Sequence, residues 1–180
     1  LRLVGSEMCI RDRYSIGIND NLIEDYRNVV TNAILLDETI VKILSDDKLD
    51  LESADELLWV HLIPQQYVPY TITETGSYIT YDIDENVVIP HNGTRSTYTE
   101  LTLYFWIFTH KQDALYKGRL RNDILNRELK LLFNDNKNIG IAKNHLLYSK
   151  VYSSGNYDYM GRHMAFKITD WADEVRYGKK

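Results

Sequence analysis

A β-prone run, TYTELTLYFWIFTH from Thr97 to His110, constrains the fold of this chain more than any other stretch. Large apolar side chains occupy both sets of its alternate positions, so the usual alternation of apolar and polar residues is missing. The two sets are Leu101, Leu103, Phe105 and Ile107, and Thr102, Tyr104, Trp106 and Phe108. A strand that is apolar on both faces is typical of the centre of a sheet with a layer on each side. We therefore expect a helix to cover one face and a neighbouring subunit to cover the other.

Two stretches have the periodicity of amphipathic helices. The first, NLIEDYRNVVTNAILLDETIVKIL, forms one apolar stripe from residues Leu22, Tyr26, Val29, Ala33, Leu36, Ile40 and Ile43. Asn19 or Asp20 can cap its start, and Asp37 is also a favourable cap. The stretch is therefore either one helix or two helices separated by a bend. The second stretch, from Arg119 to Phe133, has a broad apolar stripe that predicts another helix.

The segment after the first helical stretch predicts a turn and a short strand. Ser53 and Glu56 have capping-box spacing, which favours a short helical turn. The apolar residues from Trp59 to Ile63 then predict a strand that ends at Pro64.

Two hairpins are indicated by turn residues between strand-like runs. Asp84-Glu85-Asn86 predicts a turn between strands Tyr78–Ile83 and Val87–Ile89. Near the end of the chain, Leu146–Tyr152 and Arg162–Thr169 predict two strands joined by the loop SSGNYDYMG.

Helices and strands do not alternate regularly, which predicts an α+β fold. The expected architecture is a largely antiparallel mixed sheet of about four to five strands. An N-terminal helix or helix pair and a second helix pack on this sheet, and a C-terminal hairpin closes it. Residues 14–172 should form a single α+β domain, followed by a frayed charged tail at 173–180.

The first residues, up to Arg13, have neither helical nor strand periodicity. Within them, GSEMCIRDR resembles the translated read-through of a sequencing adapter, as found at the broken end of an assembled metagenomic fragment. We expect residues 1–13 to be non-native and exclude them from the fold. The chain's single cysteine, Cys9, lies in this excluded segment, so neither disulfides nor thiol catalysis can be argued. The true N-terminus is expected to be missing, so no targeting signal can be read.

Composition excludes some classes of protein. Apolar residues make up 44% and charged residues 26%, as in ordinary folded domains, and no apolar run reaches the roughly 20 residues of a membrane helix. The net charge of −5 argues against a protein that grips phosphate backbones, so neither a membrane nor specific nucleic-acid recognition is expected. The 14 tyrosines suit half-buried strands or subunit interfaces equally well.

The sequence contains no recognisable catalytic constellation. Asp82, Asp84 and Glu85, joined by Glu100, could form a magnesium site, but acidic residues are also favoured in turns. The five histidines show no ligand spacing, and no phosphate-binding glycine loop or nucleophile elbow is present. A cationic strip is interrupted by acids and is best interpreted as a solvated helix face: Lys111, Lys117, Arg119, Arg121, Arg127 and Lys130. We expect no enzyme activity, no cofactor and no metal.

Two longer stretches carry a resemblance to a known class of proteins. They are IPQQYVPYTITETGSYITYDID, and the region from RLRNDILNRELKLLFNDNKNIGIAKNHLLYS to YMGRHMAFKITDW. From about Leu22 to Trp171 the chain resembles tailed-bacteriophage neck proteins of the tail-terminator or tail-completion family. The resemblance implies a structural virion protein, assembled in the bacterial cytoplasm, whose copies form a ring, commonly a hexamer. That ring would cap the tail tube and join it to neck proteins at the head–tail junction, without covalent chemistry.

A closed ring requires contact between two different patches of each subunit. The candidates for this interface are aromatic and charged residues on the long strand and the helix after it: Tyr98, Tyr104, Trp106, Arg119 and Asp123. Alternatively, Trp106 belongs to the monomer core, and Arg119 and Asp123 form an ion pair on one helix.

Two other functions remain open on the sequence. One is another phage morphogenesis component, such as a head–tail connector or a tail-ring protein. The other is a small magnesium-dependent nuclease or resolvase that uses Asp82, Asp84 and Glu100.

Overall fold

The N-terminal helical stretch divides at Asp37. A computed structural model of the chain describes residues 22–66, 75–87, 98–136, 139–153 and 157–171. Helix α1 spans Leu22–Leu35, and helix α2 spans Glu38–Ser45. The carboxylate of Asp37 accepts a hydrogen bond from the Ile40 amide at 2.9 Å, which caps α2. The two-helix alternative is therefore the right one.

The strands form a mixed sheet of five members in the order β1-β2-β3-β7-β6. Their bounds are Leu62–Ile63 (β1), Ser77–Val87 (β2), Tyr98–His110 (β3), His145–Tyr152 (β6) and Tyr159–Trp171 (β7). Only β1 and β2 are parallel, and every other neighbouring pair is antiparallel. Strand β3 pairs with β2 on one side and β7 on the other, so the run identified in the sequence is central. The α+β prediction is confirmed, including the closing β6–β7 hairpin.

A small hairpin precedes the third helix. Strands β4 (Leu115–Tyr116) and β5 (Arg119–Leu120) pair with each other and lead directly into α3, Arg121–Phe133. The predicted helix from Arg119 was thus two residues too long at its start.

The three described helices cover one face of the sheet. The inner set of β3 residues, Leu101, Leu103, Phe105 and Ile107, is completely buried in a cluster that includes residues of α1, α2 and α3. The Phe105 ring lies 5.1 Å from that of Phe133 on α3. Full burial of each such side chain contributes about 1.5–3 kcal/mol to stability, so this layer is the main core.

Two strand predictions were wrong. Asp84-Glu85-Asn86 forms no turn, because β2 continues through these residues and pairs with β3 as far as Val87 and Thr99. A long partner strand supplies backbone hydrogen bonds that outweigh local turn preference. The rest of the predicted second strand, up to Ile89, lies outside the described residues.

Of the strand expected from Trp59 to Ile63, only the last two residues form a strand, β1. Trp59 has a left-handed φ of 65° and belongs to a turn in which its amide donates to the Leu62 carbonyl at 2.8 Å. The helical turn before it does form, at Ala54–Leu57. Ser53 does not cap this turn, because its hydroxyl instead donates to the Asp50 carboxylate at 2.9 Å.

Several predictions concern parts of the chain outside the described residues. These are the non-native segment at 1–13, the caps Asn19 and Asp20, and the tail at 173–180.

Candidate assembly surface

The second face of the sheet carries a separate aromatic cluster. Its buried members are Tyr78, Trp106, Phe108 and Tyr159, and Tyr104 and Tyr152 pack against them. All six belong to strands β2, β3, β6 and β7. On β3 they occupy the alternate positions to the helix-covered set, so they project from the opposite face. We call this cluster, together with His163, the aromatic face.

Stacked rings run across the aromatic face at the level of Trp106. The register places Trp106 between Thr80 on β2 and His163 on β7. Its ring lies 4.7 Å from the His163 ring at an interplanar angle of 9°, and 5.9 Å from the ring of Tyr104. Tyr148 on β6 approaches His163 edge-on at 5.2 Å. Such pairs contribute about 0.5–1.5 kcal/mol each beyond area burial, so they fix the orientation of these side chains.

Two polar side chains lie on either side of Trp106, on the neighbouring strands β2 and β7. Nε2 of His163 and Oγ1 of Thr80 are buried without a hydrogen-bond partner among the described residues. Burial lowers the pKa of His163 below its usual value of 6.5, and the nearby Lys150 ammonium lowers it further. Burial likewise raises the pKa of the Tyr148 hydroxyl. The surroundings of His163 and Tyr148 therefore favour the uncharged forms of these two side chains.

Three of the five predicted interface residues lie on one side of β3. Tyr98 is 46% exposed at the start of the strand, and Tyr104 is half-buried. Trp106 is buried within the single chain, in the aromatic cluster, which agrees with the monomer-core alternative. The other two lie elsewhere. Arg119 is exposed on β5, and Asp123 lies on α3.

The alternative of a same-helix ion pair between Arg119 and Asp123 is wrong. Arg119 precedes α3, so the two residues do not share a helix. Asp123 instead accepts hydrogen bonds from Arg162 on β7, at 2.7 Å from Nη2 and 3.1 Å from Nε. This pair ties the first turn of α3 to the sheet.

The family model of YomW matches residues 37–168 of the chain. The chain belongs to the YomW family. The matched region runs from the cap of α2 into β7, so it contains the aromatic face and the main core apart from the residues of α1. No curated protein matches the chain. No helix in the described part of this YomW-family chain has the length and apolar character needed to span a membrane.

The carboxylates considered for a magnesium site are dispersed in this YomW protein. Asp82 pairs with Arg27 of α1, and Glu100 pairs with Lys167. Asp84 and Glu85 are exposed neighbours on β2 that project from opposite faces. Among the described residues, no three His, Cys, Asp or Glu side chains come together as a potential metal site.

Sequence reasoning missed a buried arginine at the start of α3. Arg121, interpreted as part of a solvated cationic strip, has a side chain that is only 8% exposed. Its Nη1 donates to the Ile43 carbonyl at 2.8 Å, and its Nη2 pairs with Asp46 beyond α2. Sequence periodicity cannot indicate this contact between α3 and α2, because the partners of Arg121 lie about eighty residues earlier in the chain.

Sequence reasoning also missed a buried series of hydrogen bonds next to Arg121. Oγ1 of Thr109 on β3 donates to the side-chain carbonyl of Asn122 at 2.5 Å. The Asn122 amide in turn donates to the Met160 carbonyl at 2.9 Å. These hydrogen bonds join α3 to one end of β3 and β7, and they hold the helix in position over the sheet.

Proposed function

We propose that this YomW-family protein is a structural virion subunit of the tailed-phage head–tail junction. It acts as a tail-terminator or tail-completion subunit whose copies form a closed ring. The ring caps the tail tube, joins it to neck proteins, and is assembled in the cytoplasm of the bacterial host. Its function is geometric and involves no covalent chemistry.

One observation supports this proposal above the others, namely the aromatic face. A sheet is stable when each apolar face packs against another layer. The helices supply that layer on one side. On the other side, the described members of the aromatic cluster all lie on strands, and four of the six are buried within the single chain. Tyrosine and tryptophan are enriched where protein surfaces meet, because a rigid ring can pack while its polar end stays hydrated. Tyr104 and Tyr152 are only half-buried at this face, so a second copy of the chain could contact their rings.

Oligomeric mass provides the first test. Size-exclusion chromatography with light scattering should give a multiple of the 21.1 kDa chain mass that increases with protein concentration. In phage particles, an antibody against the chain should label the head–tail junction. Labelling of the capsid interior or of the distal tail would contradict a terminator, and labelling elsewhere in the neck would favour a connector.

A paired substitution tests whether the aromatic face makes the contact. Tyr104→Glu places a charge on the half-buried aromatic face and should shift the protein toward monomer. Leu131→Glu is the matched control, because Leu131 is 69% exposed on α3, on the helical side. Circular dichroism should show that both variants remain folded. Equal assembly of the two variants would refute the role of this face.

A further inference from the structure

Of the residues that make up the aromatic face, only His163 has an ordinary pKa near neutrality, 6.5. Its ring lies on β7, stacked at 4.7 Å on the ring of Trp106 and at 5.8 Å on that of Tyr104. From β6, the ring of Tyr148 approaches edge-on at 5.2 Å and that of Tyr152 at 5.9 Å. Four aromatic rings from two strands therefore surround the one imidazole of this face.

The charged group nearest to His163 has the same sign as its protonated form. The strand register places Lys150 of β6 beside His163, with Trp106 of β3 on the other side. The next positions on the same face of β7 are Gly161 and Ala165, which carry no charge. Among the described residues, no carboxylate is a register neighbour or a ring contact of His163. The titratable groups that face it are the Lys150 ammonium and the hydroxyls of Tyr104, Tyr148 and Tyr152.

Protonation of His163 is therefore unfavourable in this setting. It would place a positive charge in a half-buried aromatic site next to the Lys150 ammonium. The ring faces of Trp106 and Tyr104 attract a cation and offset part of this cost. The offset is incomplete, because no described carboxylate neutralises the charge. Burial thus lowers the pKa of His163, and Lys150 lowers it further.

We propose that His163 makes the assembly contact pH-sensitive: its neutral imidazole allows a second copy to dock on the aromatic face, and its protonation releases that copy. This inference rests on the proposed function, because it requires the aromatic face to be the contact. A docked copy removes further water from the imidazole and so penalises its charged form more strongly. Docking and protonation therefore oppose each other through linkage.

The pH range of this effect follows from the direction of the pKa. In the free chain the pKa of His163 lies below 6.5, so docking is favoured at neutral pH and weakens as pH falls through that pKa. If the docked state excludes the proton, a pH one unit below the free-chain pKa raises the concentration for half-assembly about tenfold.

The net charge of the chain acts in the opposite direction. The isoelectric point of the sequence is about 5.5, so acidification toward it reduces repulsion between copies. Net charge alone would therefore strengthen association as pH falls. Loss of assembly over this range points to a specific group.

Light scattering over concentration series from about pH 7.5 to about pH 5.0 tests the inference. The measured quantity is the ratio of the half-assembly concentrations at acidic and neutral pH within each variant. This ratio should reach about ten for wild type and stay close to one for His163→Phe, which keeps a ring without a titratable nitrogen. His145→Gln is the matched control, because it removes an exposed histidine of β6 and should keep the wild-type ratio.

A second variant tests the role of the neighbouring ammonium. Lys150→Met removes the like charge beside His163, so the pKa of the imidazole should rise. The midpoint of the assembly loss should then move to higher pH. An unchanged or lower midpoint would contradict the assignment of His163 as the titrating group.

The remaining outcomes separate this inference from the proposed contact. NMR titration below the assembly concentration gives the free-chain pKa of His163. If wild type assembles at neutral pH and stays equally assembled through that pKa, the pH sensitivity is overturned while the contact stands. Equal acid dissociation of wild type and His163→Phe also overturns it, as does unfolding of wild type by circular dichroism over the same pH range. A wild-type chain that is monomeric at every pH and concentration overturns both.

Discussion

Replacing Arg121 with methionine should lower the free energy of unfolding by about 2–3 kcal/mol. The hydrogen bond from Arg121 to the Ile43 carbonyl, at 2.8 Å, dominates this figure. Bonds from charged donors are worth about 1.5–3 kcal/mol, and the carbonyl loses this partner. The ion pair with Asp46 adds less than about 1 kcal/mol, because the Asp46 side chain is 41% exposed and water screens the pair. Methionine keeps the aliphatic packing, so no large cavity forms.

Urea denaturation followed by far-ultraviolet circular dichroism measures this loss. In thermal unfolding the same loss corresponds to about 4–12 °C, at about 2–4 °C per kcal/mol for a chain of this size. Arg121→Lys keeps the charge but not the planar fork, so it should lose about half as much. Arg119→Met is the matched control, because Arg119 is exposed two residues earlier and should change stability by less than about 0.5 kcal/mol. Equal stability of Arg121→Met and Arg119→Met would refute the assignment of Arg121 as a structural joint.

Three further predictions concern the core, Tyr81 and His163. Leu103→Asp buries an unpaired charge on β3 and should abolish soluble expression, whereas Val60→Asp, at a 53% exposed site, should not. A normal yield of soluble Leu103→Asp protein would mean that β3 is not central. Tyr81→Phe removes the bond to the Arg27 carbonyl at 2.8 Å and should cost about 1 kcal/mol by urea denaturation. Burial raises the pKa of Tyr81 from its usual 10.0 to about 12. The stability that its neutral hydroxyl contributes is therefore fully present below pH 10 and is lost as pH rises through 12. The stability of Tyr81→Phe should not show this pH dependence. Because the pKa of His163 is lowered, the stability contributed by its neutral imidazole is present above pH 6.5 and declines as pH falls through the folded-state pKa. An NMR titration that gives a His163 pKa at or above 6.5 would contradict this.

Features with a short-range signal could be predicted from the sequence. The doubly apolar run became the central strand β3, because alternation along a strand directly determines which side chains share a face. The division of the N-terminal helices followed from Asp37, whose side chain satisfies an amide only three residues away. The α+β class and the closing hairpin followed from the order of such local patterns.

Features that depend on distant partners were decided only by the tertiary structure. Asp84-Glu85-Asn86 has the composition of a turn, yet pairing with β3 keeps it extended. Arg121 has the sequence context of a surface residue, yet the end of α2 packs against it and supplies its acceptors. The positions of β1 and β6 at the two ends of the described sheet follow from strand order, which no local pattern specifies. Periodicity reports on neighbours within a few residues, whereas burial and hydrogen-bond partners depend on which segments of the folded chain come together.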